Sequence, residues 1–329
     1  MRHRFHTAVR AVPILLLAAV FATGQTPKPA GKTWAPPRTP DGQPDIEGIW
    51  TSATLTPLER PADLAGKPTL TEKEAAEYEK NLLVQSNRDR RDGSADADLG
   101  RAYNEFWYDR GNKVVGTRRT SLIIDPPDGL VPALTPEAQK RQEAARERAR
   151  LHAFDGPEDR PLAERCLSWA TAGPPMLPSA YNNNYHIVQT PGYVTILSEM
   201  IHDVRVIPLD GRPHLGGNIR QWMGDARGHW EGNTLVVDTT DFNGKAAFRG
   251  SGQKLHLVER FTPVGRDTML YEFTVDDPTT FTKPWTAQVP MTKTEGPIYE
   301  YACQEGNYAL RGVLAGARAE EKGVTETRP

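Results

Sequence analysis

The chain carries only two cysteines in 329 residues and has no basic surplus. Beyond its N-terminal stretch, no apolar run approaches membrane-spanning length. Each shortage excludes something. A formal charge of −2 argues against a generic nucleic-acid binder, which needs a basic surface. G-x-S-x-G, a phosphate-binding P-loop, a Rossmann glycine fingerprint and H-E-x-x-H are all missing, so no nucleophile elbow, nucleotide cradle or zinc helix declares a reaction.

What is present begins with a targeting pattern. Arg2, Arg4 and Arg10 precede the apolar run 11–21, and Ala22-Thr23-Gly24 supply small residues at cleavage spacing. Residues 1–24 therefore read as a signal peptide, and the expected location is periplasmic or secreted, with no membrane span after cleavage. Removing them lowers the formal charge from −2 to −5, because they hold three Arg and no acid. In an oxidising compartment Cys166 and Cys303 are expected to pair. Residues 25–44 form a Pro/Gly-rich leader, and 321–329 a flexible tail.

A hydrophobic content of 38% supports a core, while 28 Gly and 28 Pro indicate a turn-rich, mainly β chain. Residues 45–320 read as one antiparallel meander whose edges must be hidden, either by closing into a barrel, the arrangement expected here, or by folding into two sheets. Three hairpins carry this reading. Pro191-Gly192 as a two-residue turn sets His186 opposite Leu197 and Tyr185 opposite Ser198. Gly232-Asn233 sets Trp230 opposite Leu235 and Arg227 opposite Asp238. In the third, matching apolar faces sets Leu257 opposite Tyr271, Glu259 opposite Met269, and His256 opposite Glu272. Trp285 to Met291 with Pro297 to Cys303 supply the last expected pair.

Two insertions interrupt the barrel, at 55–112 and 134–183. Thr71, with Glu74 three residues on, caps a helix to about Gln85. Pro136 opens a polar surface helix to about His152. Residues 117–125 read as a strand whose partner is Leu130-Val131. Phe106, Trp107 and Tyr108 read as a core or lid plug, with a stacking platform as the alternative, and 155–183 is a long connection of the kind that makes lids. A C-terminal helix follows from the spacing of Tyr308, Val313, Leu314 and Ala317.

Gly48-Ile49-Trp50 resembles the G-x-W of lipocalins and their calycin relatives. That resemblance implies a Trp plugging the closed end of a barrel, with a late Arg, here Arg311 or Arg318, packed over it. Separately, IHDVRVIPLDGRPH, GDARGHWEGNTLVVDTTDF, LVERFTPV and TVDDPTTFTKPW resemble an uncharacterised family of exported bacterial β-rich proteins. This implies export and a β-rich fold, and brings no activity to particular residues.

The reading that follows is an exported binding protein holding a small apolar or amphipathic molecule in the barrel mouth, with the insertions as lids. Arg205, Arg220, Trp222, Tyr185 and His214 are its expected ligand contacts. The alternative is an enzyme of general acid/base chemistry on the same scaffold, with Glu199 as base, His186 or His202 as its proton partner and Glu259 as a second acid. Glu259 falls on an apolar face, which calls for a raised pKa or a buried Arg partner. No cofactor is expected. A divalent metal, if present, would fall to His202 and His214, although their spacing matches no metal motif. A third reading, a protein-binding module, applies if the apolar faces pack shut.

Overall fold

Strands with alternating burial dominate the computed structural model, which describes residues 34–101, 104–246 and 248–323. The expected signal peptide, the start of the leader and the end of the tail lie outside these residues. The chain divides into Met1–Trp34, of which only Trp34 is described, and Ala35–Pro329, which holds everything below.

Ten strands form one sheet: β1 (Gly48–Thr51), β2 (Ile123–Asp125), β3 (Asn184–Thr190), β4 (Tyr193–Ser198), β5 (Val204–Pro208), β6 (Asp225–Glu231), β7 (Thr234–Thr240), β8 (His256–Gly265), β9 (Thr268–Asp276) and β10 (Trp285–Thr294). The helices are α1 (Glu72–Ser86), α2 (Ala95–Leu99), α3 (Pro136–Leu151) and α4 (Tyr308–Glu321). α1 starts at the expected capping box: Thr71 accepts from the Glu74 amide, and Glu74 returns to the Thr71 amide.

The sheet order β5-β4-β3-β1-β10-β9-β8-β7-β6 makes a nearly closed antiparallel barrel, with β2 added to the β10 edge where β1 stops. Nine strands alternating in direction leave β5 and β6 running parallel where the two ends of the sheet meet. They touch there without a ladder. Gly228 permits the approach, because a Cβ at that position would stand 2.6 Å from Leu209 Cδ2 and 2.9 Å from Ile207 Cγ2.

Antiparallel order also gives the barrel two unlike rims. One carries the tight turns Pro191-Gly192, Gly232-Asn233 and Arg266-Asp267. Near it Trp50 is buried, donates its indole N–H to Ile46 O, and is covered by Lys293, whose Nζ lies 5.5 Å from the ring centroid. The cation over this Trp thus comes from β10. Arg318, one of the two expected for the role, instead holds the carbonyls of Phe154 and Asp155. The opposite rim carries both insertions.

The first two hairpins adopt the expected register. The third is displaced by four residues: Leu257 faces Val275, Glu259 faces Phe273 and His256 faces Asp276. The strands run on through Thr262-Pro263 with a bulge before Gly265, so the loop is two residues rather than a longer one closing before Pro263. A shift of four preserves which face each side chain occupies. Two expected strands change partner. Ile123–Asp125 pairs with β10, not with Leu130-Val131, and residues 297–303 form no strand because β1 occupies the β10 edge.

Inward positions from every barrel strand meet in a single core cluster that includes Trp50, Tyr185, Phe261, Tyr271, Phe273 and Trp285. Each such side chain contributes about 1.5–3 kcal/mol by burial. Among the described residues the lumen is therefore packed core, the condition named above for a protein-binding module, which leaves a small molecule only the ends and seam of the barrel. The open spaces described below lie at the insertion rim and along the β5/β6 seam.

Candidate functional site at the insertion rim

At the insertion rim the lumen ends on Phe248, stacked on Trp285 with ring centroids 6.0 Å apart, and on Leu255. Above them is a pocket of about 320 Å³. Phe242, Phe248, Leu255 and Met223 form its apolar floor and wall, while Ser168, Trp169, Ala170, Gly173 and Pro174 of the second insertion roof it. Lys245 stands at the edge, its Nζ 6.0 Å from the Trp222 ring centroid. Core tyrosines fix the roof: Tyr185 donates its hydroxyl to Thr171 O, and Tyr271 accepts from the Met176 amide. Mostly apolar lining with a few placed polar groups is the usual make-up of a small-molecule site.

The same Tyr271 donates to Glu259 at 2.8 Å, and Arg205 grips that carboxylate with both terminal nitrogens, one of them at 3.0 Å. Arg205 crosses from β5 to β8 inside the barrel, and both side chains are buried. Burial alone pulls the guanidinium down, but the charge of Glu259 and its hydrogen bonds outweigh this and hold it above its ordinary value. Burial, then the Glu259 charge, push Tyr271 well up. The buried Arg partner called for by Glu259 is thus present. Tyr185 is likewise core, its hydroxyl raised by burial.

Glu199 ends β4 at the same rim. It is 2% exposed, accepting from the Asn184 amide at 2.8 Å and from the Tyr299 backbone N–H at 2.9 Å. It lines a second, larger cleft of about 1050 Å³ with Phe106, Trp107, Asp109, Tyr181 and Tyr299. Asp109 is exposed by surface area yet crowded by protein, and this desolvation raises its carboxyl from its ordinary value against the backbone and side-chain bonds from Asn183. Just beyond Glu199, Ile201 and His202 both adopt left-handed backbone, at φ 63° and 51°. For a β-branched residue this is strained. The Cys166–Cys303 disulfide borders this cleft through Cys303 and closes a sequence separation of 137 residues.

The connection from β5 to β6 is held on the outer wall by a chain of hydrogen bonds between imidazole, carboxylate and guanidinium groups. His214 faces Asp225 through Nδ1 (3.2 Å) and Asp238 through Nε2 (2.9 Å). His256 takes the other Asp238 oxygen at 2.7 Å, and Arg227 takes the other Asp225 oxygen at 2.6 Å. His256 is raised chiefly by its hydrogen bond to Asp238, which is lowered by the same bond. His256 thus bonds across the sheet to β7, not to Glu272 as the sequence suggested. Among the described residues no group of three or more His, Cys, Asp or Glu is placed to hold a metal.

The expected ligand contacts divide accordingly. Arg205, Arg220 and Trp222 share a cleft of about 570 Å³ along the β5/β6 seam, and Trp222 also lines the mouth pocket. His214 serves the outer-wall clasp and Tyr185 the core. The proton-transfer set is not assembled among the described residues. Glu199 faces the aromatic cleft, His186 sits on the outer side of β3, His202 is exposed, and Glu259 lies in the core. The residues missed in the sequence are Asp109, Tyr299, Lys245, Phe242 and Phe248. They come from five loop positions whose convergence no local pattern announces. Neither a scan against protein-family models nor a search of the curated proteins returns a match.

Proposed function

We propose that the chain is an exported binding protein for a small amphipathic molecule held at the barrel mouth. The observation that carries this is the pocket of about 320 Å³ whose floor, Phe248 and Leu255, is continuous with the barrel core and whose roof is the second insertion. The apolar body of the ligand rests on Phe242, Phe248 and Leu255, and its polar end, an acidic group, meets Lys245. The Cys166–Cys303 disulfide supports export, because such bonds persist in oxidising compartments.

The test is native mass spectrometry of periplasmically expressed protein, followed by titration of the stripped protein with a fluorescent amphipathic anion. Ala246→Trp, which fills the pocket from its lining, should abolish probe binding while leaving circular dichroism unchanged. Undiminished binding in that variant would place the ligand elsewhere and end this reading.

A further inference from the structure

The larger rim cleft has a chemistry opposite to that of the mouth pocket. Its charged lining residues are Asp109, Glu199 and Glu300, and no Lys, Arg or His stands among the described residues that line it. Its aromatic walls face solvent: Phe106 is 83%, Trp107 58% and Tyr299 67% exposed. Phe106 and Trp107 are thus not the buried plug expected from the sequence, and much of this aromatic surface is left open to a ligand. Phe106 and Trp107 meet edge to face, with centroids 5.1 Å apart, so one wall presents two ring surfaces at a steep angle.

Glu199 is built into this site. Its stem is buried, and one donor holds each carboxylate oxygen, Tyr299 N–H on Oε1 and the Asn184 amide on Oε2. A carboxylate oxygen has two lone-pair positions, so each retains one for a further donor. Fixed carboxylates beside exposed aromatic faces are the combination that recognises organic ammonium ions, through charge and through the ring quadrupole. A volume of about 1050 Å³ also leaves room for an apolar tail.

We infer that this cleft is a second binding site, for an amphipathic organic cation of the alkyl- or arylammonium class. It stands independently of the mouth pocket, from which segment 169–181 separates it: Trp169 lines one space and Tyr181 the other.

The experiment is calorimetric titration with hexylammonium, whose N–H groups can donate to Glu199, and with its neutral, soluble isostere hexan-1-ol. The cation should bind about tenfold more tightly than the isostere, and less tightly as salt is added. Trp107→Ala, whose ring is exposed and whose loss leaves the fold intact, and Asp109→Asn should each weaken cation binding by about three- to tenfold. Ala246→Trp in the mouth pocket should leave it unchanged. Equal affinity for the isostere, indifference to Trp107→Ala, absence of binding, or loss of binding in Ala246→Trp would each overturn the inference.

Discussion

Arg205 and Glu259 form a buried, bidentate pair that joins β5, at one end of the sheet, to β8 across the lumen. Removing one partner leaves the other charge stranded among Phe261, Tyr271 and Phe273, which costs about 3–5 kcal/mol. Arg205→Met and Glu259→Leu should each lose that much. The double variant should recover most of it, because the desolvation of both ions vanishes together and apolar replacements of similar volume are often neutral or stabilising. Arg205 Nε has no acceptor among the described residues, which tilts the balance further toward the apolar pair. In urea unfolding of the disulfide-intact protein, with a slope of about 3 kcal/mol/M, each single change moves the midpoint by about 1–1.7 M at constant slope. The double variant should lie within about 0.5 M of the parent. A single-variant cost below about 1 kcal/mol, or a double variant as unstable as the two singles summed, would refute a dry, mutually dependent pair.

Three further outcomes follow from the geometry. Replacing Cys166 and Cys303 by Ser should lower stability by about 4–5 kcal/mol, the chain-entropy value for so long a loop, measured as a urea midpoint against the oxidised parent. The raised His256 contributes stability that is full below its unfolded pKa and fades as pH rises through its folded value. The lowered Asp238 contributes above its own unfolded value and fades on acidification. The clasp is therefore strongest between about pH 4 and 6.5, is worth under about 1 kcal/mol because the pair is more than a third exposed, and should flatten in Asp238→Asn. Gly228→Val, forcing Leu209 and Ile207 away from β6, should cost about 1–3 kcal/mol and raise amide exchange along β5.

Much of the wall was legible because its signals are local. Two-residue turns containing Gly192 and Gly232 dictate register, and alternation in β6 and β7 names the inward face. Pro263 obscured the third register, since a proline within a strand reads as an end and here sits at a bulge. β5 was hidden in a polar-looking linker because its first inward residue is Arg205, and only the partner 54 residues away makes a charge acceptable there. The same distance problem governs the site. Glu199 was visible as an acid at a strand end, but Asp109 and Tyr299 reach it from opposite parts of the chain, and their approach depends on how the insertions fold over the rim.

The position of β1 sets the order in which this barrel is completed. Its two neighbours are β3 and β10, so Ile49 waits for His186 on one side and for Thr294 on the other. A chain emerging from the ribosome or a translocation channel has its first strand early and the strand that closes over it nearly last. Until then β1 has one edge covered at most, by β3, while β3-β4-β5 and the run from β6 to β9 each form from sequence-adjacent strands. Such non-local closure makes assembly slow. A nascent chain stopped before Trp285 leaves the edges of β1 and β9 open to one another's copies, so truncation near this point converts a barrel strand into an aggregation seed.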